Sequence, residues 1–154
     1  MEKVIILKGP SQTGKTSTLL LMIQELKDKY QSHEIVQQDF EFSTTDKFVI
    51  LKVPNLGNVG IITFGDPGRE NDVQKVLQWC LEHDCMAVVG ASRTRIYKNP
   101  PSVYKILRDF GHKHKAKVVE TTPLRFHNNV GQHLQQDNVN TICANNIISI
   151  LFNL

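Results

Sequence analysis

The chain's hydrophobic pattern begins with a short continuous run, Val4 to Leu7. A run of this kind suits a strand buried on both faces of a parallel sheet. After a glycine-rich stretch, Leu19, Met22, Ile23 and Leu26 fall at helical spacing, which predicts a helix from Lys15 to Tyr30. Glu34 to Gln38 reads as a short strand. Phe48 to Val53 and Val59 to Phe64 flank Pro54-Asn55-Leu56-Gly57-Asn58, the composition of a hairpin turn. Val73, Val76, Leu77, Cys80 and Leu81 predict a second amphipathic helix, started by Asn71 or Asp72.

Met86 to Val89 is the next strand. Asn99-Pro100-Pro101 opens a third helix, whose apolar face is Val103, Ile106, Leu107 and Phe110. Lys117 to Glu120 is a further strand, and Val139, Ile142, Cys143, Ile147 and Ile150 recur at helical spacing near the C-terminus. Strands alternating with helices predict one α/β domain over residues 1–154, in three layers, with a mostly parallel sheet and one antiparallel hairpin strand. In such a sheet ligands bind at the carboxyl ends of the strands. The loops Gly9 to Thr16, Asp39 to Asp46, Gly65 to Asn71, Ser92 to Asn99 and Thr121 to Asn128 should therefore share one rim.

The first of these loops carries specific chemistry. Gly9-Pro10-Ser11-Gln12-Thr13-Gly14-Lys15-Thr16 satisfies G-x-x-x-x-G-K-[ST] at every fixed position, and Ser17 follows in the predicted helix. Glycines allow the curvature and close approach that let successive backbone N–H groups surround a phosphate. The helix start adds unpaired N–H groups and the positive end of its dipole. Lys15 supplies a mobile charge, expected to be exposed when no nucleotide is bound, and the Thr16 hydroxyl is a magnesium ligand.

The loop resembles the Walker A element of the P-loop NTPase superfamily, and the strand–helix order is compatible with that fold along the whole chain. The resemblance implies binding of a nucleoside triphosphate with Mg²⁺. Val59-Gly60-Ile61-Ile62-Thr63-Phe64-Gly65-Asp66 resembles a Walker B strand, which makes Asp66 the partner of Thr16 at the metal. Motor-type members place a glutamate directly after that aspartate. Pro67 stands there in this chain, and Glu70 is the nearest carboxylate in sequence.

Three functions fit. The chain is expected to be a Mg²⁺-dependent NTP-binding protein and hydrolase, with ATP favoured because no N-K-x-D guanine-reading motif follows Met86 to Val89; Ala91-Ser92-Arg93-Thr94-Arg95 stands there instead. Alternatively, Val36-Gln37-Gln38-Asp39-Phe40 resembles the strand-end D-x-F of uridine-kinase-like enzymes. Asp39 would then be the base for an acceptor hydroxyl, with Arg93 and Arg95 on the transferring phosphoryl group. A third reading is a nucleotide-regulated, GTPase-like switch, with Thr44 or Thr45 sensing magnesium and Asp66-Pro67-Gly68 approximating D-x-x-G one residue short.

Composition narrows the setting. At 154 residues, 40% apolar and 21% charged, the chain is an ordinary globular domain. The longest apolar run, Leu19 to Ile23, cannot span a bilayer, and a cytoplasmic protein is expected. Cys80, Cys85 and Cys143 lack metal spacing and read as reduced core residues in helices or strands. His112-Lys113-His114 reads as a helix end. The net charge of +3 is concentrated between Ala91 and Arg125. That basic stretch is either solvated helix surface or a face for an anionic partner or nucleic acid.

Overall fold

A computed structural model of the chain describes residues 1–10, 13–39, 46–94, 101–123 and 132–153. The described elements run β1 (Lys3–Lys8), α1 (Lys15–Tyr30), β2 (His33–Asp39), β3 (Lys47–Val53), β4 (Gly57–Ile62), α2 (Glu70–Glu82), β5 (Ala87–Ser92), α3 (Val103–Lys113), β6 (Lys117–Thr121) and α4 (Gln132–Asn153). The strands form one sheet in the order β2-β3-β4-β5-β1-β6. β1 pairs in parallel with β5 and β6, and β4 in parallel with β5. β3 runs antiparallel to both of its neighbours, β2 and β4. The fold is α/β with a mostly parallel sheet, as the alternation of elements predicts.

Side-chain alternation along each strand builds the two outer layers. Ile5, Leu7, Val49, Leu51, Ile61 and Val89 pack on one face with Leu19, Met22 and Leu26 of α1 and Ile147, Ile148 and Leu151 of α4. Val4, Ile6, Phe48, Ile50, Ile62 and Val88 pack on the other with Val73, Val76 and Leu77 of α2 and Val103, Ile106 and Leu107 of α3. The buried Lys3 ammonium donates to the Leu151 carbonyl at 2.6 Å. It thereby satisfies an orphan acceptor in the last turn of α4, where the helix dipole also favours a cation.

Several boundaries differ from the sequence reading. α2 begins at Glu70, with Arg69 rather than Asn71 or Asp72 before it, and Arg69 makes no side-chain cap bond. The helix entry is fixed by tertiary contacts instead. The Arg69 guanidinium bridges Asp46 at the start of β3 and Asp72, and lies 4.1 Å from the centre of the Phe64 ring. α3 is capped by Ser102, whose Oγ accepts from the Lys105 N–H at 3.2 Å; Asn99 and Pro100 lie outside the described residues. β5 continues to Ser92 because β1 pairs with it along its whole length.

Ile142 is 58% exposed rather than part of the core. All three cysteines are buried and none is joined in a disulfide, but Cys85 sits between α2 and β5 rather than in an element. His112 and Lys113 do end α3, with His114 as its cap residue.

Candidate functional site

β1 delivers the chain to Gly9 at the carboxyl end of the sheet. There the Gly9 N–H donates to the Ser92 carbonyl at 3.1 Å, which ties the loop to β5. α1 then starts at Gly14, whose φ of +83° is a left-handed conformation that glycine adopts without strain. Among the described residues no side chain caps this helix, and no acidic residue stands in its first turn. Its leading N–H groups therefore remain available to an anion.

Lys15 corrects one expectation. Its side chain is not exposed: the residue is only 8% accessible, and its ammonium donates to the carbonyls of Gly9 at 2.9 Å and Pro10 at 2.5 Å. The physical reason is that the curved loop turns its carbonyls inward, and an ammonium satisfies them better than an apolar wall would. Burial lowers the Lys15 pKa, Asp66 nearby opposes that shift, and the Arg93 charge adds to it. Thr13 Oγ1 donates to the same Pro10 carbonyl at 2.8 Å. Ser11 and Gln12 lie outside the described residues.

The second motif meets the first. A cavity of about 260 Å³ is lined by Gly14, Lys15, Thr16, Thr63, Gly65 and Asp66 among others. The meeting depends on strand order. β5 lies between β1 and β4, so the two motif-bearing strands stand about 10 Å apart at the usual strand spacing. The start of α1 spans the gap, with Thr16 Oγ1 donating to the Thr63 carbonyl at 3.1 Å.

Gly65 allows the chain to turn toward the cavity. A Cβ there would stand 1.8 Å from the Ala91 carbonyl oxygen of β5. Asp66 then projects from the rim, accepting from Arg93 Nε at 2.7 Å. The two side chains are 62% and 33% exposed, so this pair stabilises by less than about 1 kcal/mol. That is too little to hold the carboxylate away from a divalent cation.

The other predicted residues stand differently. Asp39 ends β2, an edge strand two places from β4, and is in register through Lys47 with the cavity-lining Thr63, roughly 10 Å away at the usual strand spacing. Glu70 turns back on its own loop, where Oε1 accepts from the Gly68 N–H at 3.1 Å. Thr44, Thr45 and Arg95 lie outside the described residues. The basic stretch divides. Arg93 is at the rim, whereas Lys113 and Lys117 sit where α3 ends and β6 begins, at the opposite edge of the sheet.

Beside the loop, Glu120 of β6 accepts from Lys8 Nζ at 2.8 Å and from the Tyr104 hydroxyl at 2.5 Å. These two bonds hold its pKa below the usual carboxylate range and raise those of Lys8 and Tyr104.

Two contributors escaped the sequence reading. The Thr63 carbonyl leaves no signature in a side-chain pattern. Asn140 of α4, only 3% exposed, places its Oδ1 2.6 Å from where a Cβ on Gly14 would lie. Comparison of the chain with family models, with curated proteins and with solved structures returns no match. No helix among the described residues is long and apolar enough to cross a membrane.

Proposed function

We propose that the chain is a P-loop protein that binds a nucleoside triphosphate with Mg²⁺, ATP rather than GTP, and hydrolyses its terminal phosphate. One observation carries the reading: Lys15, Thr16 and Asp66, from two motifs far apart in sequence, line a single cavity at the carboxyl end of a parallel sheet. The six-stranded sheet covered by helices on both faces is compatible with the P-loop fold. The donor set fits the metal, since a hydroxyl and a carboxylate are hard oxygen ligands and Mg²⁺ retains waters for its remaining positions. When bound, the metal neutralises charge on the outer phosphates.

This chain's own groups do the rest. The α1 N–H groups and Lys15 would hold the phosphates, Asp66 and Thr16 would offer the metal its ligands, and Arg93, bonded to Asp66, would supply a further cation to the terminal phosphoryl group. The kinase reading stays second because no observation favours it over hydrolysis: Asp39 ends the edge strand β2, on the same rim and two places from β4. A cytoplasmic location is part of the proposal, supported by three buried cysteines that are not joined in disulfides.

Titration of ATP into wild type and Asp66→Ala, in excess Mg²⁺ and again in EDTA, tests the reading. The substitution should weaken Mg·ATP binding by about ten-fold, or ~1.4 kcal/mol, and leave metal-free binding equal or slightly tighter, because a negative charge has been removed. Equal losses with and without metal, together with a lower melting temperature, would reduce Asp66 to a turn residue.

A further inference from the structure

α4 reaches the phosphate loop from the side. Asn140 is almost wholly buried against Gly14, but only half of its amide is engaged: Oδ1 accepts from Gln136 Nε2 at 2.8 Å. Its Nδ2 has no hydrogen-bond partner among the described residues. That atom is not among the fully buried unpaired ones, which leaves it open to solvent or to a bound group. Asn140 also lines a cleft of about 470 Å³ between Ser17, Leu20 and Leu21 of α1 and Asp137 and Thr141 of α4. Ser17 lines both this cleft and the phosphate cavity, so the two adjoin at that residue.

We propose that this cleft receives the sugar and base of the nucleotide, an inference that rests on the phosphate-loop reading of residues 9–16. The chemistry separates the two compartments. The phosphate cavity offers N–H groups and an ammonium, which suit an anion. The cleft offers one amide donor, one carboxylate that can only accept, the hydroxyls of Ser17 and Thr141, and two half-buried leucines. Asp137 repels phosphate oxygens, but its carboxylate accepts from sugar hydroxyls or from the N–H groups of a base. Asn140 Nδ2 donates to a ring nitrogen, carbonyl or hydroxyl, and the leucines cover an apolar ring face. The volume lies within the usual range for small-ligand pockets.

Calorimetric titration of ATP, GTP and inorganic tripolyphosphate, each with Mg²⁺, into wild type, Asp137→Ala and Asn140→Ser tests the assignment. At least one nucleotide should bind wild type more than ten-fold tighter than tripolyphosphate. Each substitution should weaken that nucleotide by about three- to ten-fold, the effect of one hydrogen bond, while tripolyphosphate binds no less tightly. Asp137 is exposed, so its variant serves even where Asn140→Ser does not fold. Tripolyphosphate binding as tightly as both nucleotides, or losses shared equally by all ligands, would overturn the cleft assignment and leave the loop reading intact. Absence of binding by all three would overturn both.

Discussion

Replacing Lys15 by methionine removes the ammonium and keeps most of the aliphatic stem. Two consequences follow from its contacts, and they are measured separately. The Gly9 and Pro10 carbonyls lose their shared donor. Each bond to a charged donor contributes about 1.5–3 kcal/mol before the cost of burying the ammonium is subtracted, so a net loss of roughly 1–2 kcal/mol is expected. In a chain of 154 residues this corresponds to a fall of about 2–8 °C in Tm.

The second consequence concerns the ligand. An ammonium has three donors; two are used, and the third contact, to Thr13 Oγ1, is long at 3.5 Å. That donor can meet a phosphate oxygen without breaking the other two. Its loss should weaken ATP binding by about 1.5–3 kcal/mol, or roughly 10- to 150-fold. Burial already lowers the Lys15 pKa, so wild-type affinity should also decline at a lower pH than the usual lysine value, as the free protein loses this proton. Isothermal titration between pH 7 and 10 and a melting curve read both effects. A lower Tm with unchanged ATP affinity would refute the argument and make Lys15 a staple of the loop alone.

Two further outcomes are expected. Gly65→Ala places a Cβ against the Ala91 carbonyl and should destabilise by about 3 kcal/mol or more. Gly68→Ala meets no atom within 4 Å and pays only for its φ of +95°, about 1 kcal/mol; similar melting temperatures for the two would contradict the close approach of Gly65 to β5. For Glu120→Gln, the depressed wild-type pKa means the carboxylate's contribution is present above the unfolded value near 4.3 and is lost as pH falls through the folded value. Denaturant titrations should show a deficit of about 1 kcal/mol at pH 7 that closes in acid, and a gap persisting at pH 2 would point to packing rather than charge.

The sequence made some of this legible and hid the rest for identifiable reasons. α1 was readable to its ends because motif and periodicity agree from Lys15 to Tyr30. The β3–β4 hairpin was readable because Asn55 and Gly57 take the positive φ that their residue types favour. Both lining motifs of the cavity came from local pattern. Strand order did not, since nothing local says that β5 separates β1 from β4. Lys15 was misjudged because the loop's inward carbonyls are a property of backbone shape. Asn140 carried no signal, because one polar residue in a helix gains meaning only from what the other layer sets against it. Arg69 misled the start of α2 by acting through Asp46 and Phe64 rather than as a cap.

The position of β1 bears on how the protein is made. β1 is the first strand in the chain, yet both of its neighbours, β5 and β6, come from the second half. During synthesis, β2, β3 and β4 can pair with one another as soon as they emerge, since each contact joins adjacent segments. The first strand has to wait, with its apolar residues unpartnered, until β5 arrives to pair with it. Long-range parallel pairing of this kind is slow and exposes such segments to aggregation. The Gly9–Thr16 loop follows that strand, so the first part of the proposed binding site to be translated is among the last to take shape. A chain interrupted before β5 would contain both motifs and still lack the cavity they line together.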